Sequence, residues 1–310
     1  MAKAIRDVYG DSLLKYGKEN DKVVVLDADV SCSTKSAVFG NECPDRFFNC
    51  GIAEYAMVGM AGGFAKAGKV PFVNTFAVFL STIGALGARA LMSYSKLNIK
   101  LMGAYGGLSD AYDGPTHHAI EDVAIMRALP GVTVMVASDA AMTDWMVKTA
   151  IDTEGPMYIR LSRDATPDTY TADTKFEIGK ALTVKEGSDA AIIACGIMVS
   201  KAMEAAEKLA AEGIKVKVVD MFTIKPIDAE AVLEAAKTGA IVTAEEHNVY
   251  GGLGSAVAEV LVKNGAGVPV EMIGLQDTHA ETGAYNALLA KYGMDADAIA
   301  AAVKKAIANK

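Results

Sequence analysis

Short runs of β-branched and aromatic residues alternate along this chain with longer runs of small apolar residues. That alternation confines the fold to the α/β class, a mostly parallel sheet covered by helices. The short runs predict strands at residues 23–26, 47–50, 72–75, 99–104, 133–137 and 157–161, and helical spacing predicts helices at 5–16, 54–67, 82–94, 120–128 and 141–151. Residues 164–175 then turn polar, with Pro167 and several Thr and Asp, and read as an interdomain linker. After it the pattern restarts, with strands expected at 190–194, 216–219, 240–244 and 268–273 and helices at 198–211, 229–236, 255–262, 285–292 and 296–307. A chain of 310 residues suffices for two ordinary domains. Two tandem α/β domains, each a mostly parallel sheet covered by helices, is the economical reading.

Charge and cysteine usage narrow the function classes. A net charge of −8 with no Lys/Arg run argues against a nucleic-acid binder held by phosphate contacts. Cys32, Cys43, Cys50 and Cys195 show no CxxC pairing and no His at metal-ligand spacing, so they read as reduced cytosolic thiols. The opening Met-Ala-Lys-Ala-Ile-Arg has no secretory apolar region, which makes the cytoplasm the expected location. Residues 70–88 carry no formal charge over about the length of a bilayer span, but Pro71, Asn74, Thr75, Gly84 and Gly87 fit a buried strand followed by a buried helix, not a membrane segment.

Glu54 is the only formally charged residue from Phe47 to Ala65, and it falls where a strand-like run meets Gly51 and a helical run begins. A carboxylate among small and apolar residues needs a partner, a raised pKa or water. Two readings fit. Glu54 is a helix-start carboxylate favoured by the macrodipole, with Asn49 near the cap, or it is a buried acid that shares a proton with a heterocycle.

Other constellations are similarly two-sided. Asp113-Gly-Pro-Thr-His117-His118 is either a surface turn or a substrate loop in which one imidazole meets substrate while the other packs. Phe76 and Phe79 either pack in the core or offer a stacking wall for a planar ring. Arg6, Arg160 and Arg163 are candidate anion anchors, with Arg163 just past a strand end. His247 and His279 are isolated, which argues against zinc. Gly251-Gly-Leu-Gly254 is a poor dinucleotide fingerprint and reads better as the start of a tightly packed helix.

Five spaced motifs occur together in order: Asn49-Cys-Gly-Ile-Ala-Glu-Tyr-Ala-Met57, Asn74-Thr-Phe-Ala-Val-Phe79, Asp113-Gly-Pro-Thr-His117, Leu161-Ser-Arg163 and Glu245-Glu-His-Asn-Val-Tyr-Gly-Gly-Leu-Gly254. Through them the chain resembles the C-terminal half of transketolase over essentially its full length. The resemblance implies a thiamine-diphosphate pyrimidine-binding domain at 1–165, a linker at 166–180 and a transketolase C-terminal domain at 181–310. It implies that Glu54 bonds the aminopyrimidine N1′ of thiamine diphosphate, that Phe79 with Phe76 forms the ring's aromatic wall, and that Asp29 and Thr82 lie near the cofactor. It implies further that Asp113 and His117 contact the sugar hydroxyls and carbonyl, with Glu54 and His117 catalytic, that Arg6, Ser33 and Arg163 form the substrate phosphate site, and that Tyr105 also lies at the substrate. The chain departs from the family at Tyr105, where His is usual, and at Thr82, where Tyr is frequent.

The resemblance also implies a partner. Thiamine diphosphate enzymes hold magnesium and the diphosphate with Gly-Asp-Gly and a downstream Asn, and no Gly-Asp-Gly occurs in this sequence. A separately encoded N-terminal subunit carrying that motif is therefore expected, in an α2β2 assembly. The expected activity is transfer of a two-carbon ketol unit between sugar phosphates. The alternatives are the β-subunit of a 2-oxo acid dehydrogenase, against which Asp113-Gly-Pro-Thr-His117 argues, and a catalytically silent interaction subunit.

Overall fold

A computed structural model describes residues 3–310; Met1 and Ala2, which the sequence reading assigns to the first domain, lie outside the described residues. The strands are β1 (Val23–Asp27), β2 (Phe47–Asn49), β3 (Val70–Phe76), β4 (Lys100–Ala104), β5 (Thr133–Val136), β6 (Met157–Arg160), β7 (Leu182–Lys185), β8 (Ala190–Ala194), β9 (Val216–Asp220), β10 (Thr223–Lys225), β11 (Ile241–Asn248) and β12 (Val270–Leu275). The helices are α1 (Ile5–Lys18), α2 (Ser31–Thr34), α3 (Ala37–Glu42), α4 (Glu54–Lys66), α5 (Ala77–Thr82), α6 (Ala85–Gly87), α7 (Asp122–Ala128), α8 (Ala140–Asp152), α9 (Met198–Ala211), α10 (Ala229–Ala236), α11 (Leu253–Lys263), α12 (Tyr285–Lys291) and α13 (Ala296–Ala308). They form two α/β units with helix-covered, mostly parallel sheets, as the alternation predicts.

The first sheet runs β10-β5-β6-β4-β3-β1-β2 and the second β12-β11-β8-β9-β7, with only β10 and β7 antiparallel to their neighbours. Strands β1, β3 and β4 are buried at every position, because helices cover both sheet faces. Residues 70–88 are thus a buried strand and the helices after it, and no described helix is long and apolar enough to cross a membrane.

Sequence periodicity misses the short helices α2 and α3 and several other features. The helix expected at 82–94 is broken into α5, α6 and a π-helical turn at Ala88–Tyr94. Gly84 and Gly87 lie against the Leu80 carbonyl and Val58, so a side chain at either would push this segment off its neighbours. Strand β11 continues through Glu245, Glu246 and His247, where polar residues suggest it should stop. Strands β7 and β10 are short and antiparallel, defined by their partners more than by their own residues.

The two halves are packed into one another. Strand β10, from the second half, pairs with β5 of the first sheet, and one apolar cluster runs from Val24 and Val73 through Val136 to Cys195, Met221, Ile224 and Leu253. The polar segment expected as a linker contains no helix or strand from Asp164 to Lys175, yet it is pinned to both halves. Asp139 Oδ2 accepts from the Thr169 and Tyr170 amides at 2.9 and 2.7 Å, and the Tyr170 hydroxyl donates to Asp220 at 2.9 Å.

Candidate functional site

A parallel sheet gathers the C-terminal ends of its strands on one edge, where ligands of open α/β folds bind. Strands β2, β1, β3, β4 and β6 end there, and each is followed by a residue singled out by sequence. Glu54 follows β2, Asp29 follows β1, Phe76 closes β3 with Phe79 one turn on, Tyr105 follows β4 and Arg163 follows β6. Register fixes their heights: Asp27 lies opposite Asn49 and Asn74, Phe76 opposite Ala104, and Gly103 opposite Arg160. Arg6 reaches the same edge from α1, whose start is tied down by the Ile5 amide donating to the Asp164 carbonyl at 3.2 Å.

These side chains form one aromatic and cationic cluster. Phe76 stacks on Tyr105 with ring centres 4.7 Å apart, and the His117 ring meets Phe79 edge-on at 5.1 Å. Arg6 donates to the Tyr105 hydroxyl, and the guanidinium carbons of Arg6 and Arg163 lie 5.5 and 5.4 Å from the Tyr105 ring centre. Arg163 Nη1 stands 3.8 Å from Asp110 Oδ1, and the Asp113 amide donates to the Asp110 carbonyl at 3.2 Å. Burial and the neighbouring Asp113 carboxyl push the Asp110 pKa up to about 7, against the pull of Arg163 and Arg6. Asp29 and Tyr105 adopt left-handed backbone conformations, φ 66° and 57°, a strained geometry for non-glycine residues.

A second group surrounds Glu54. Its side chain is in the first turn of α4, where the helix dipole favours a carboxylate, and the residue is only 5% exposed. Its carboxylate makes no hydrogen bond to another described residue. Asn49 does not cap α4, as the helix-start reading expects; the N-cap position is Ala53. Instead Asn49 accepts from the Gly51 amide at 3.0 Å and donates to Asp29 at 2.9 Å, bracing the strained Asp29 turn. Ser33 is half-buried in α2, and the Thr82 hydroxyl is committed to the Val78 carbonyl at 2.6 Å. No hydrogen bond joins this group to the aromatic cluster. On and beside α4, Ile52 (84% exposed), Tyr55, Met60, Ile83 and Leu86 leave apolar surface uncovered.

Several alternatives are resolved by geometry. Arg160 is not an anion anchor, because its guanidinium is buried and spent on Asp122 at 2.9 Å and on the Ala119 and Glu246 carbonyls at 2.9 and 2.7 Å. Of the adjacent histidines, His118 is buried, which pushes its pKa down, while His117 faces the aromatic cluster. The Gly251-to-Gly254 turn opens α11 and is occupied by the protein itself: the Leu253 and Gly254 amides donate to the Glu245 carboxylate at 2.7 and 2.8 Å. His247 bonds the Asn248 carbonyl at 2.6 Å, and no metal-ligating cluster occurs among the described residues.

Two buried acids at this edge receive no role from sequence, Asp110 and Glu246, although Glu246 lies inside the fifth motif. Asp110 stands three residues before Asp113 in a loop already rich in polar residues. Glu246 stands in an acidic pair that looks like the end of a strand. Their common signal is a carboxylate within a few residues of a Gly-rich corner, which is too frequent to single out.

Comparison with known proteins gives a consistent answer. Residues 1–169 match the family described as "Transketolase, pyrimidine binding domain" and residues 179–299 the family "Transketolase, C-terminal domain". The "Putative transketolase C-terminal section" of Methanocaldococcus jannaschii is 41% identical, covering 96% of this chain and 94% of its own length. The "6-deoxy-6-sulfo-D-fructose transketolase subunit SqwH" of Clostridium sp. strain MSTE9 is 40% identical, covering 99% and 95%. A solved structure described as "Split gene transketolase, inactive beta4 tetramer" superimposes with a TM-score of 0.90 at 48% identity, covering 99% of both chains.

Proposed function

The chain belongs to the transketolase family, and from that premise we propose that it is the C-terminal subunit of a split transketolase, carrying one half of a thiamine diphosphate site. A separately encoded N-terminal subunit supplies the Gly-Asp-Gly motif, magnesium and the diphosphate contacts in an α2β2 enzyme, which we place in the cytoplasm. The observation that carries this reading is Glu54, a nearly buried residue whose carboxylate makes no hydrogen bond to the described chain, on a helix that packs against β3 and is flanked by uncovered apolar side chains. A partner chain covering that surface completes an enclosure around the acid.

The residues present fit the cofactor. An acid without a hydrogen-bond partner suits the aminopyrimidine N1′, and Phe76 and Phe79, their ring centres 6.0 Å apart, offer an aromatic wall at the same sheet edge. When bound, thiamine diphosphate supplies a carbon nucleophile for the ketose carbonyl and a sink for the electrons of the breaking carbon–carbon bond. Glu54 holds a proton at N1′, and Phe76 and Phe79 keep water from the ring. Asp29, braced by Asn49, and Thr82 line the cofactor edge. His117 and Asp113 orient the sugar carbonyl and hydroxyls, and Arg6, Ser33, Tyr105 and Arg163 bind the sugar phosphate.

Mixing this chain with its N-terminal partner, thiamine diphosphate and magnesium is expected to transfer a ketol unit from xylulose 5-phosphate to ribose 5-phosphate, with no transfer by either chain alone. Saturating cofactor without transfer rules out the pentose phosphate version, and decarboxylation of pyruvate by the pair supports the 2-oxo acid dehydrogenase alternative. A sulfonated ketose donor is a second reading, favoured by the 40% identity to the sulfofructose transketolase subunit. It requires faster transfer from 6-deoxy-6-sulfofructose than from xylulose 5-phosphate.

The phosphate site is also expected to respond to pH. Asp110 takes up a proton as pH falls through about 7, which removes a negative charge beside Arg163. A unit charge about 8 Å from an anion at an effective dielectric near 20 is worth about 2 kcal/mol, which solvent screening at this partly open edge reduces to roughly a tenfold effect. The KM for a phosphorylated sugar is therefore expected to rise between pH 6 and pH 8, and Asp110→Asn to flatten that rise. An unchanged slope in the Asn variant removes Asp110 from the account.

A further inference from the structure

The corner that leads from β4 into the loop bearing Asp110, Asp113 and His117 is held by a side chain from the other half of the chain. The Leu108 amide donates to Glu246 Oε1 at 2.6 Å. Gly107, at φ 65°, lies so close that a Cβ built on it would overlap the Glu246 carboxyl group. Backbone from the same strand end grips the far side of the loop: the Asn248 amide donates to the Ile120 carbonyl at 2.8 Å, and Arg160 bridges the Ala119 and Glu246 carbonyls. Gly107 and Ala119 close the loop's neck with a reciprocal pair of 3.0 Å backbone bonds. The stretch beyond that neck, with Asp113, Pro115 and Thr116 exposed, is placed by how its neck is held.

We propose that Glu246 is a positioning residue for the reaction: its carboxylate clamps Leu108 and thereby sets where Tyr105, Asp113 and His117 meet the sugar. The inference rests on the transketolase reading for the identity of the ligand and on the clamp geometry for the rest. Stability alone does not account for a carboxyl group here. It is buried against Arg160, Asp122 and Tyr285, and burial pushes its pKa up to about 7 despite Arg160 and the Leu108 amide. The Tyr285 hydroxyl beside it makes no well-formed hydrogen bond. An apolar side chain would avoid that desolvation, but it offers no acceptor to Leu108.

The test compares Glu246→Ala, Glu246→Gln and Gly107→Ala in the reconstituted complex, together with amide exchange across residues 105–120 in the chain without its partner. Glu246→Ala is expected to raise the KM for the ketose phosphate by about tenfold to a hundredfold, with a smaller change in kcat, the scale of a misplaced binding group. Amide exchange should quicken at 105–120 ahead of either sheet. Glu246→Gln keeps an oxygen that accepts from Leu108 and should restore KM to within about threefold. Gly107→Ala, which crowds the carboxyl from the loop side, should raise KM as Glu246→Ala does; it decides the matter if the latter fails to fold. Wild-type KM in Glu246→Ala or in Gly107→Ala, or an exchange increase spread evenly over both sheets, overturns the proposal. A wild-type complex that transfers no ketol group sinks the functional reading alone, and local or uniform exchange then still decides whether the carboxylate orders the loop.

Discussion

Replacing Glu54 by alanine is expected to lower turnover of the reconstituted complex by two or more orders of magnitude, the range found when a positioned acid or base is removed. It should do so without destabilising the chain. The carboxylate makes no hydrogen bond to a described residue, so the variant loses no internal bond, and the small helix-dipole contribution of an acid in the first turn of α4 is all that is given up. An active site that trades stability for chemistry behaves in that way. The helix-start reading predicts the reverse pattern: a lower thermal midpoint, because an acid favoured by the α4 dipole has been removed, and turnover near wild type. Glu54→Gln sharpens the contrast. Its amide can occupy the same space and hydrogen-bond a ring nitrogen, but it cannot exchange a proton there, so cofactor binding should persist by calorimetry while turnover falls. Equal turnover of wild-type and alanine complexes would falsify the catalytic assignment.

How much of this site the sequence discloses depends on what each residue needs from its surroundings. Helices α9 and α10 match their expected limits, because their amphipathic spacing and flanking residues are local properties. The positions of Glu54, Phe79 and Arg163 at one sheet edge also follow from sequence, since each stands shortly after a strand and parallel strands share an edge. Pairing between distant segments is less legible. Strand β10 is three residues long and exists because β5 accepts it. Asn49 looks like a helix cap by position, but its partner Asp29 comes from the neighbouring strand turn. Glu246 acquires its role only when the second sheet is docked on the first, bringing it to Leu108.

Arg160 likewise takes its role from partners distant in sequence. A central parallel strand is covered on both faces, so an arginine within β6 cannot project to solvent and must find its partners inside. It finds Asp122 at 2.9 Å and two backbone carbonyls, while Tyr158 donates to the same Asp122 oxygen at 2.5 Å. Burial opposes the charge, but Asp122, Glu246 and Tyr158 outweigh it and raise the guanidinium pKa further. Arg160→Met therefore leaves Asp122 as a buried charge without its cation, at a cost of about 3–5 kcal/mol. In a chain of this size that lowers the thermal midpoint by roughly 5–8 °C. Arg160→Lys keeps the charge but cannot span Asp122, Ala119 and Glu246 at once, so it should fall between wild type and Met. Adding Asp122→Leu to Arg160→Met removes the stranded charge and should recover part of the loss, stopping short because the Tyr158 hydroxyl loses its acceptor and the Ala119 and Glu246 carbonyls lose the guanidinium that bridged them. Thermal unfolding of the four proteins, with wild type included, gives the order. If Arg160→Met unfolds at the wild-type temperature, the ion pair contributes nothing and the shared apolar core, the β10–β5 pairing and the remaining hydrogen bonds hold the two halves.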